Sequence, residues 1–268
     1  MESVHFIFDG IKSSDMGLVN VRVGSQGFVE VPYWGNASVS EKKIHNRLTP
    51  YFYSASREPI EFKVQFALVD EHNNSVEWTS EERNRIARWL VHDEYKEFQT
   101  ADDLGKRYFV ICTNAVNLNL INTHGYVELN FKTNSPYAWS PVYIDKFDLS
   151  NNESTTIIEL ENKSNVVKEF NPLVEIELVG GETSVELKNL SNGGKTMKFE
   201  GLQPNETISI DTQNKIIKSN LQHSNPFSKF NTGAYNKRYW LDLVYGVNQI
   251  SVSGRCIIHT KMRFPIAQ

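Results

Sequence analysis

The sequence predicts a mainly β protein, in which a β-sandwich-like N-terminal domain with one α-helix precedes a C-terminal β-sandwich of the jelly-roll type. Short runs of alternating apolar and polar residues occur along most of the chain. In the C-terminal half, turn residues separate these runs about every 8 to 12 positions, as in sandwiches and jelly rolls. The 268 residues include 31 aromatic side chains (5 Trp, 11 Tyr and 15 Phe), which favour strands.

The N-terminal half opens with strand patterns. Residues 4–8 alternate and end at Asp9-Gly10, a turn signal because glycine accepts a positive φ angle. A second strand is predicted at 18–23. The clearest strand is 60–69, where every second side chain is apolar and the intervening ones are mostly charged or polar. Two further strands are predicted at 107–113 and 126–132.

One helix is predicted at 79–91. Thr79 and Glu82 form a capping box, in which the threonine oxygen accepts a hydrogen bond from the backbone N–H of residue 82. Apolar residues then recur at helical spacing, at Ile86, Trp89 and Leu90. Three arginines near this stripe have two open interpretations, a solvated face paired with glutamates or a contact with phosphate or a partner's carboxylates. They are Arg83, Arg85 and Arg88.

The two domains are predicted to be 1–140 and 141–268. Ser-Pro pairs at 135–136 and 140–141 disfavour helix, and each proline removes a backbone donor from any sheet. The first domain has 14 Lys/Arg and 18 Asp/Glu, so it carries all of the net charge of −4; the second has 14 of each. Neither domain has the excess of Lys and Arg with which a dedicated nucleic-acid-binding protein neutralises phosphates.

The C-terminal domain shows only strand patterns, separated by turns such as Gly180-Gly181 and Gly254. Gly194-Lys195-Thr196 resembles the end of a phosphate-binding loop, but that motif needs glycine where residue 189 is asparagine, and a strand pattern follows instead of a helix. A hairpin turn at 192–194 is the better interpretation. The predicted strands are 173–179, 184–190, 195–200, 206–211, 214–218, 239–245, 248–253 and 255–264.

No motif predicts catalysis or a cofactor. The seven histidines and two cysteines lack the spacing of metal ligands, and no GxSxG elbow is present. Two distant carboxylates can always meet in a fold, but nothing singles out a pair. Cys112 and Cys256 lie in strand patterns and are predicted to be reduced, buried thiols. We expect no enzyme activity, no metal and no cofactor.

Signals for export and membrane insertion are also missing from the pattern. The N-terminus lacks a basic start followed by an apolar run, as a secretory signal would have. No stretch approaches the roughly 18 to 20 apolar residues that span a membrane. We therefore expect neither a membrane nor a specific nucleic acid as a partner.

Tyr239 and Trp240 lie in the predicted strand 239–245, where either face can be buried. Two interpretations are open for these aromatic rings. They either fill the core of the sandwich or form an exposed platform that stacks on a sugar ring or contacts a partner protein.

Four segments, in order along nearly the whole chain, resemble the distal tail protein (Dit) family of long-tailed, non-contractile bacteriophages. The first is FIFDGIKSSDMGLVNV, with Phe8, Asp9, Gly10 and Gly17, where Asp9 replaces a commoner Asn. The second begins at RNRIARWLVHDEYK, with Trp89 and Leu90, and the third is VELNFKTNSPYAWS, with Pro136 and Tyr137. The fourth covers GLQPNETISID and YWLDLVYGVNQISVSG, with Pro204, Asp211, Gly246 and Asn248.

This resemblance implies a structural role at the virion tail tip, after assembly in the bacterial cytoplasm. In that family the N-terminal domains form a homo-hexameric ring between the tail tube protein and the tail-tip hub. The C-terminal domains are galectin-like sandwiches that project outward, hold receptor-binding or other baseplate proteins, and in some relatives bind host cell-wall glycan. The resemblance implies that the motif residues named above are structural.

Two other functions stay open on the residues alone. A carbohydrate-binding module or adhesin with an adapter domain would use exposed aromatic rings such as Trp240. A glycosidase or another hydrolase would need a carboxylate pair that the sequence does not identify.

Overall fold

The computed structural model describes residues 4–21, 35–113, 117–166, 169–222, 225–230 and 238–267. In these ranges the chain is mainly β, as predicted. It divides into two compact units, one reaching Ser140 and including the last residues from Ile266, the other running from Pro141 to Pro265. The end of the predicted strand 18–23 lies outside the described residues.

The N-terminal unit is built on an antiparallel sheet. Its strands are β1 (Phe6–Phe8), β2 (Ile11–Lys12), β3 (Leu18–Asn20), β4 (Ala37–Lys42), β5 (Tyr51–Arg57), β6 (Glu61–Leu68), β7 (Lys96–Thr100), β8 (Asp103–Cys112), β9 (Asn117–Ile121), β10 (His124–Thr133) and β11 (Ala138–Trp139). The sheet order is β2-β1-β7-β8-β10-β6-β3, with β9 beside β10 and β11 beside β8, whereas β4 and β5 form a separate hairpin. The strands predicted at 4–8, 60–69, 107–113 and 126–132 are confirmed.

The predicted helix is confirmed as α1 (Ser80–Leu90). The backbone N–H of Glu82 donates to Thr79 Oγ1 at 3.2 Å, which satisfies one of the free donors at the helix start. The Glu82 carboxylate does not complete the capping box by accepting from the Thr79 N–H. It pairs instead with Arg85, whose Nε lies 2.9 Å away. Arg83 donates to the Trp78 carbonyl at 2.8 Å. These two arginines are therefore paired within the domain.

Aromatic rings dominate the core of the N-terminal unit. Phe6 stacks on Phe98 with ring centroids 5.4 Å apart, and Phe98 meets Phe131 at 5.7 Å. These three rings are almost completely buried, and they lie on the inward face of the sheet because side chains alternate along a strand. Each contributes about 1.5–3 kcal/mol through burial alone. The alternation of apolar residues thus explains which sheet face is covered.

The C-terminal unit is a β-sandwich. Its elements are β12 (Tyr143–Leu149), β13 (Thr155–Asn162), β14 (Leu173–Leu178), β15 (Ser184–Asn189), β16 (Lys195–Glu200), β17 (Thr207–Asp211), β18 (Ile216–Ser219), α2 (Pro226–Lys229), β19 (Gly246–Ser253) and β20 (Cys256–Met262). The last strand, β21 (Pro265–Ile266), pairs with β11 of the N-terminal sheet. One sheet has the order β12-β20-β14-β17-β18 and the other β13-β19-β15-β16. Inward side chains of both sheets form one apolar cluster that includes Ile176, Ile258 and Ile250.

One predicted strand of this unit is wrong. Residues 239–245 form no ladder apart from a single bridge between Leu243 and Phe170. Leu241 and Leu243 still point into the core, as the alternation of apolar residues predicts. The segment is not a strand because asparagine side chains take up its backbone groups instead of a neighbouring strand.

Candidate functional site

The first motif of the resemblance forms a tight hairpin that docks α1. Asp9 and Gly10 both have positive φ angles, +50° and +79°, as a two-residue hairpin turn between β1 and β2 requires. Trp89 Nε1 donates to the Phe8 carbonyl at 3.1 Å. The Trp89 ring stacks on Phe6 at 5.5 Å, and Leu90 beside it is buried. The turn and the helix are therefore joined by both a hydrogen bond and aromatic packing.

Gly17 ends a short 3-10 turn over Ser13–Met16 in the left-handed conformation, with φ +67°. Its N–H donates to the Ser14 carbonyl at 3.0 Å, and its own carbonyl accepts from the Val69 N–H at 2.8 Å. A Cβ atom at this position would lie 3.3 Å from the Val69 oxygen. Glycine thus allows the turn to approach the backbone that follows β6 closely.

Pro136 and Tyr137 are half-buried residues of the turn after β10. The Ile60 N–H donates to Thr133 Oγ1 at 2.8 Å, and this hydroxyl donates to the Ser135 carbonyl at 2.6 Å. The Tyr137 N–H donates to Ser135 Oγ at 3.1 Å. These hydrogen bonds therefore hold the turn that ends the N-terminal unit.

Pro204 and Asp211 lie at either end of β17 and shape turns. Asn205, next to the exposed Pro204, has a φ angle of +61°, and Glu206 is completely buried with its carboxylate accepting from the Gln203 N–H at 2.8 Å. Asp211 accepts at 2.8 Å from both the N–H and the side-chain amide of Asn214. Both motif residues stand at turns, and neither contributes to a catalytic arrangement.

Asn248 is the most heavily bonded motif residue. Its Oδ1 accepts from the Val244 N–H at 2.9 Å and from Asn189 Nδ2 at 3.1 Å. Its own Nδ2 donates to the carbonyls of Val244, at 2.7 Å, and Gly246, at 2.9 Å. Gly246 closes this loop with a φ angle of +84°. The side chain is fully buried, so these four bonds replace water entirely.

Two more buried asparagines hold the same segment. Asn189 Nδ2 donates to the Asp242 carbonyl at 2.7 Å, and Asn162 Nδ2 donates to the Leu243 carbonyl at 3.0 Å. Each amide also accepts a backbone N–H two residues ahead, from Ser191 and Ser164 respectively, at 2.9 and 3.0 Å. These side chains donate to carbonyl groups of the segment that would otherwise pair with a neighbouring strand. They explain why residues 239–245 pack inward without joining a sheet.

Tyr239 and Trp240 are both half-buried. Trp240 packs against the C-terminal core and meets Phe230 edge to face, with centroids 4.9 Å apart. The structure thus places part of the Trp240 ring against the core and leaves part of it at the surface.

Lys195, Glu169 and Asp242 form a charged cluster that the sequence did not predict. Lys195 Nζ is 2.7 Å from Asp242 Oδ2 and 3.2 Å from Glu169 Oε1, and Asn192 Nδ2 donates to both carboxylates. Burial raises the pKa of Asp242 despite the nearby lysine. Hydrogen bonds with Asp242, Asn192 and Lys195 lower the pKa of the more exposed Glu169. Because Lys195 and the Asn192 amide each bond to both carboxylates, the cluster is typical of a structural ion network.

The outward face of the β12-β20-β14-β17-β18 sheet forms an open groove of about 460 Å³. Ile144, Leu173 and Ile216 are exposed apolar residues on its floor. His259 stands opposite Glu175 in the ladder, and Glu175 accepts a hydrogen bond from Ser209 Oγ at 3.2 Å. Apolar surface with a few polar groups is typical of a binding surface.

Among the described residues, no group of three or more His, Cys, Asp or Glu side chains is placed to hold a metal ion. No helix in the described ranges is long and apolar enough to cross a bilayer. Cys112 and Cys256 are not joined in a disulfide, and the first is half-buried and the second buried. Burial raises the pKa of the Cys256 thiol to about 11.

Comparisons with known proteins agree over the full length. A family described as a phage tail protein N-terminal domain matches residues 1–135, and one described as a phage tail C-terminal domain matches 137–262. The SPbeta prophage-derived uncharacterized protein YomH of Bacillus subtilis strain 168 is 29% identical over 268 residues, with 98% of each chain covered.

The fold is similar to that of a solved phage protein. The match is to the crystal structure of SPP1 Dit (gp 19.1), described as a paradigm of the hub adsorption apparatus in phages that infect Gram-positive bacteria. It covers 97% of this chain and 98% of that one, with a TM-score of 0.67 and 14% identity. The resemblance to the Dit fold is therefore confirmed, and the chain belongs to the family of phage tail proteins defined by these two domains.

Proposed function

We propose that this protein is a structural ring protein at the distal end of a phage tail, assembled from six copies. The observation that supports it most is the full-length likeness to the SPP1 Dit fold, together with the matches to N- and C-terminal phage tail domains. In this proposal residues 1–140 form the ring, which joins the tail tube protein to the tail-tip hub. Residues 141–268 face outward and hold receptor-binding or other baseplate proteins. The role requires no catalysis.

Electron microscopy of the purified full chain tests the proposal. Negative-stain images alone, and after mixing with tube protein or hub protein, should contain rings of uniform diameter. Monomers under all three conditions would contradict it.

As a second candidate, we propose that the C-terminal unit binds a host cell-wall glycan. The partly exposed Trp240 ring and the groove lined by Leu173 and His259 both support it. Calorimetric titration with purified cell-wall polysaccharide is the test. If Trp240→Phe weakens binding, the glycan contacts the Trp240 side chain. If His259→Ala weakens binding, the glycan lies in the groove. No heat of binding would remove the candidate.

A further inference from the structure

The charged cluster of Lys195, Asp242 and Glu169 is built on backbone that the C-terminal sandwich holds in place. Lys195 is the first residue of β16. Asp242 stands between two buried leucines of the segment 239–245. Glu169 precedes Phe170, which is joined to Leu243 by two backbone hydrogen bonds, of 2.9 and 2.7 Å. The fold therefore sets where the three side chains begin.

Four groups of different chemistry meet within hydrogen-bonding distance in this cluster. Lys195 Nζ lies 2.7 Å from Asp242 Oδ2 and 3.2 Å from Glu169 Oε1. Asn192 Nδ2 donates to Asp242 Oδ1 at 2.8 Å and to Glu169 Oε1 at 3.1 Å. The two oxygens of Asp242 thus contact different groups, the amine at Oδ2 and the amide at Oδ1. An amine nucleophile, a carboxyl carbon, a proton acceptor and an amide donor are brought together.

The surroundings favour reactive protonation states. Burial raises the pKa of Asp242, so more of its carboxyl is protonated than in water, and the protonated form is the better electrophile. Burial acts against the charged form of Lys195, but hydrogen bonds to Asp242 and Glu169 outweigh this effect and raise the lysine pKa. The free amine therefore forms when Nζ passes a proton to a neighbouring carboxylate. Hydrogen bonds with Asp242, Asn192 and Lys195 lower the pKa of Glu169 and keep it a carboxylate that can accept this proton.

We propose that Lys195 and Asp242 condense within the folded chain to form an isopeptide bond. The amine attacks the Asp242 carboxyl carbon, so that a bond from Nζ to Cγ forms and the bond from Cγ to Oδ2 breaks. Glu169 carries the two protons lost from Nζ to Oδ2, one after the other, and this oxygen leaves as water. Asn192 donates to Oδ1, where negative charge develops. An ammonium and a carboxylate become one neutral amide and one water, so no co-reactant is needed.

A second ion pair of the same strand shows what distinguishes this one. Lys198 Nζ also lies 2.7 Å from a carboxylate oxygen, Glu200 Oε1. The Glu200 side chain is 49% exposed, whereas that of Asp242 is only 13% exposed. Water competes with the amine for an exposed carboxylate, whereas a fixed and shielded pair gains a high effective concentration. Lys198 and Glu200 therefore provide a matched control inside the chain.

The bond would close the part of the sandwich that has no ladder. Residues 239–245 are held by the side chains of Asn162 and Asn189 and by the single bridge between Leu243 and Phe170. An isopeptide bond to Lys195 would tie this segment covalently to β16. The inference goes beyond the proposed ring, because the reaction requires only the folded C-terminal unit.

Intact-mass spectrometry of the full-length protein tests the proposal. The measured mass should be lower than the mass of the sequence by one water. Trypsin should fail to cleave after Lys195, and the digest should contain one branched peptide that joins Lys195 to Asp242. Lys195→Arg keeps the positive charge but should restore the full mass. Lys198→Arg, at the control pair, should leave the branched peptide unchanged.

Two further variants separate the chemistry from mere contact. In Glu169→Gln and Asn192→Ala, the branched peptide should appear more slowly by about tenfold or more, after chains isolated unfolded in urea are diluted into buffer. Calorimetry verifies that every variant folds. The cross-linked protein should unfold about 10–15 °C above Lys195→Arg, because the bond restricts the unfolded chain.

Three results would overturn the proposal, and none of them depends on ring assembly. The first is a folded wild-type chain that keeps the full mass of the sequence after prolonged incubation. The second is a loss of water that maps to another site, such as a succinimide at Asp9-Gly10. The third is formation of the branched peptide in Glu169→Gln at the wild-type rate, which would contradict the assigned proton transfer.

Discussion

Asn248→Ala is expected to destabilise the C-terminal unit by about 3–4 kcal/mol, because four hydrogen bonds at a fully buried side chain are lost together. Each contributes about 1 kcal/mol net. Asn189 keeps its bond to the Asp242 carbonyl, which limits the loss. The Val244 N–H and carbonyl lose the partners that the amide provided, so the loss of stability should not fall below about 3 kcal/mol.

The assay is differential scanning calorimetry of the full chain. A unit of about 125 residues has an unfolding entropy near 0.26 kcal/mol per kelvin, so the midpoint should fall by about 10–15 °C. Hydrogen exchange of the peptide 241–250 would assign the affected transition to this unit. The matched control is Gln249→Ala, on the exposed face of the same strand, which should cost less than about 0.5 kcal/mol. A loss below about 1 kcal/mol for Asn248→Ala would refute the account of this network.

Two further predictions concern the N-terminal unit. Burial raises the pKa of Tyr108 to about 12, so the unfolded chain ionises first and stability should fall as pH rises from about 10 to 12, by at most about 2.7 kcal/mol. Tyr108→Phe should flatten this part of a urea-unfolding profile against pH, and an unaltered profile would contradict the assignment. Gly35→Ala should lower the free energy of unfolding by about 3 kcal/mol or more, because its Cβ would overlap the Glu58 carbonyl. Gly105→Ala, where the nearest atom is a movable carboxylate oxygen, should cost under about 1 kcal/mol, and equal losses for both would refute the steric argument.

The elements that could be predicted are those whose burial repeats at a regular period. β6 alternates between covered and open faces, and α1 carries both a cap and an apolar stripe. The β4–β5 hairpin gave no such signal, since all its residues are exposed and neither face selects apolar side chains. A pattern of burial cannot indicate an element that has no buried face.

The error at 239–245 has a different cause. Leu241 and Leu243 alternate as in a strand because both enter the core. The backbone bonds come from Asn162 and Asn189, which are about 50 to 80 positions away in sequence. The Lys195 cluster was missed for the same reason, because Glu169 and Asp242 are brought together only by the fold. Contacts between residues that are distant in the sequence leave no local sequence pattern.

The motif residues follow a similar division. Asp9-Gly10 was identifiable as a turn from the residue types alone, since the conformation is local. The four bonds of Asn248 were not identifiable, because an asparagine in a strand pattern is usually a surface residue. The only sequence signal for Asn248 is its place in the fourth segment of the family resemblance.

The most direct test of the proposed ring is the mass and symmetry of the assembled chain. Native mass spectrometry with electron microscopy of the full-length protein, alone and with tube protein, should give a closed ring six times the mass of the 30.7 kDa chain. A monomer at every concentration and with every tail component, or an open filament in place of a closed ring, would contradict the account.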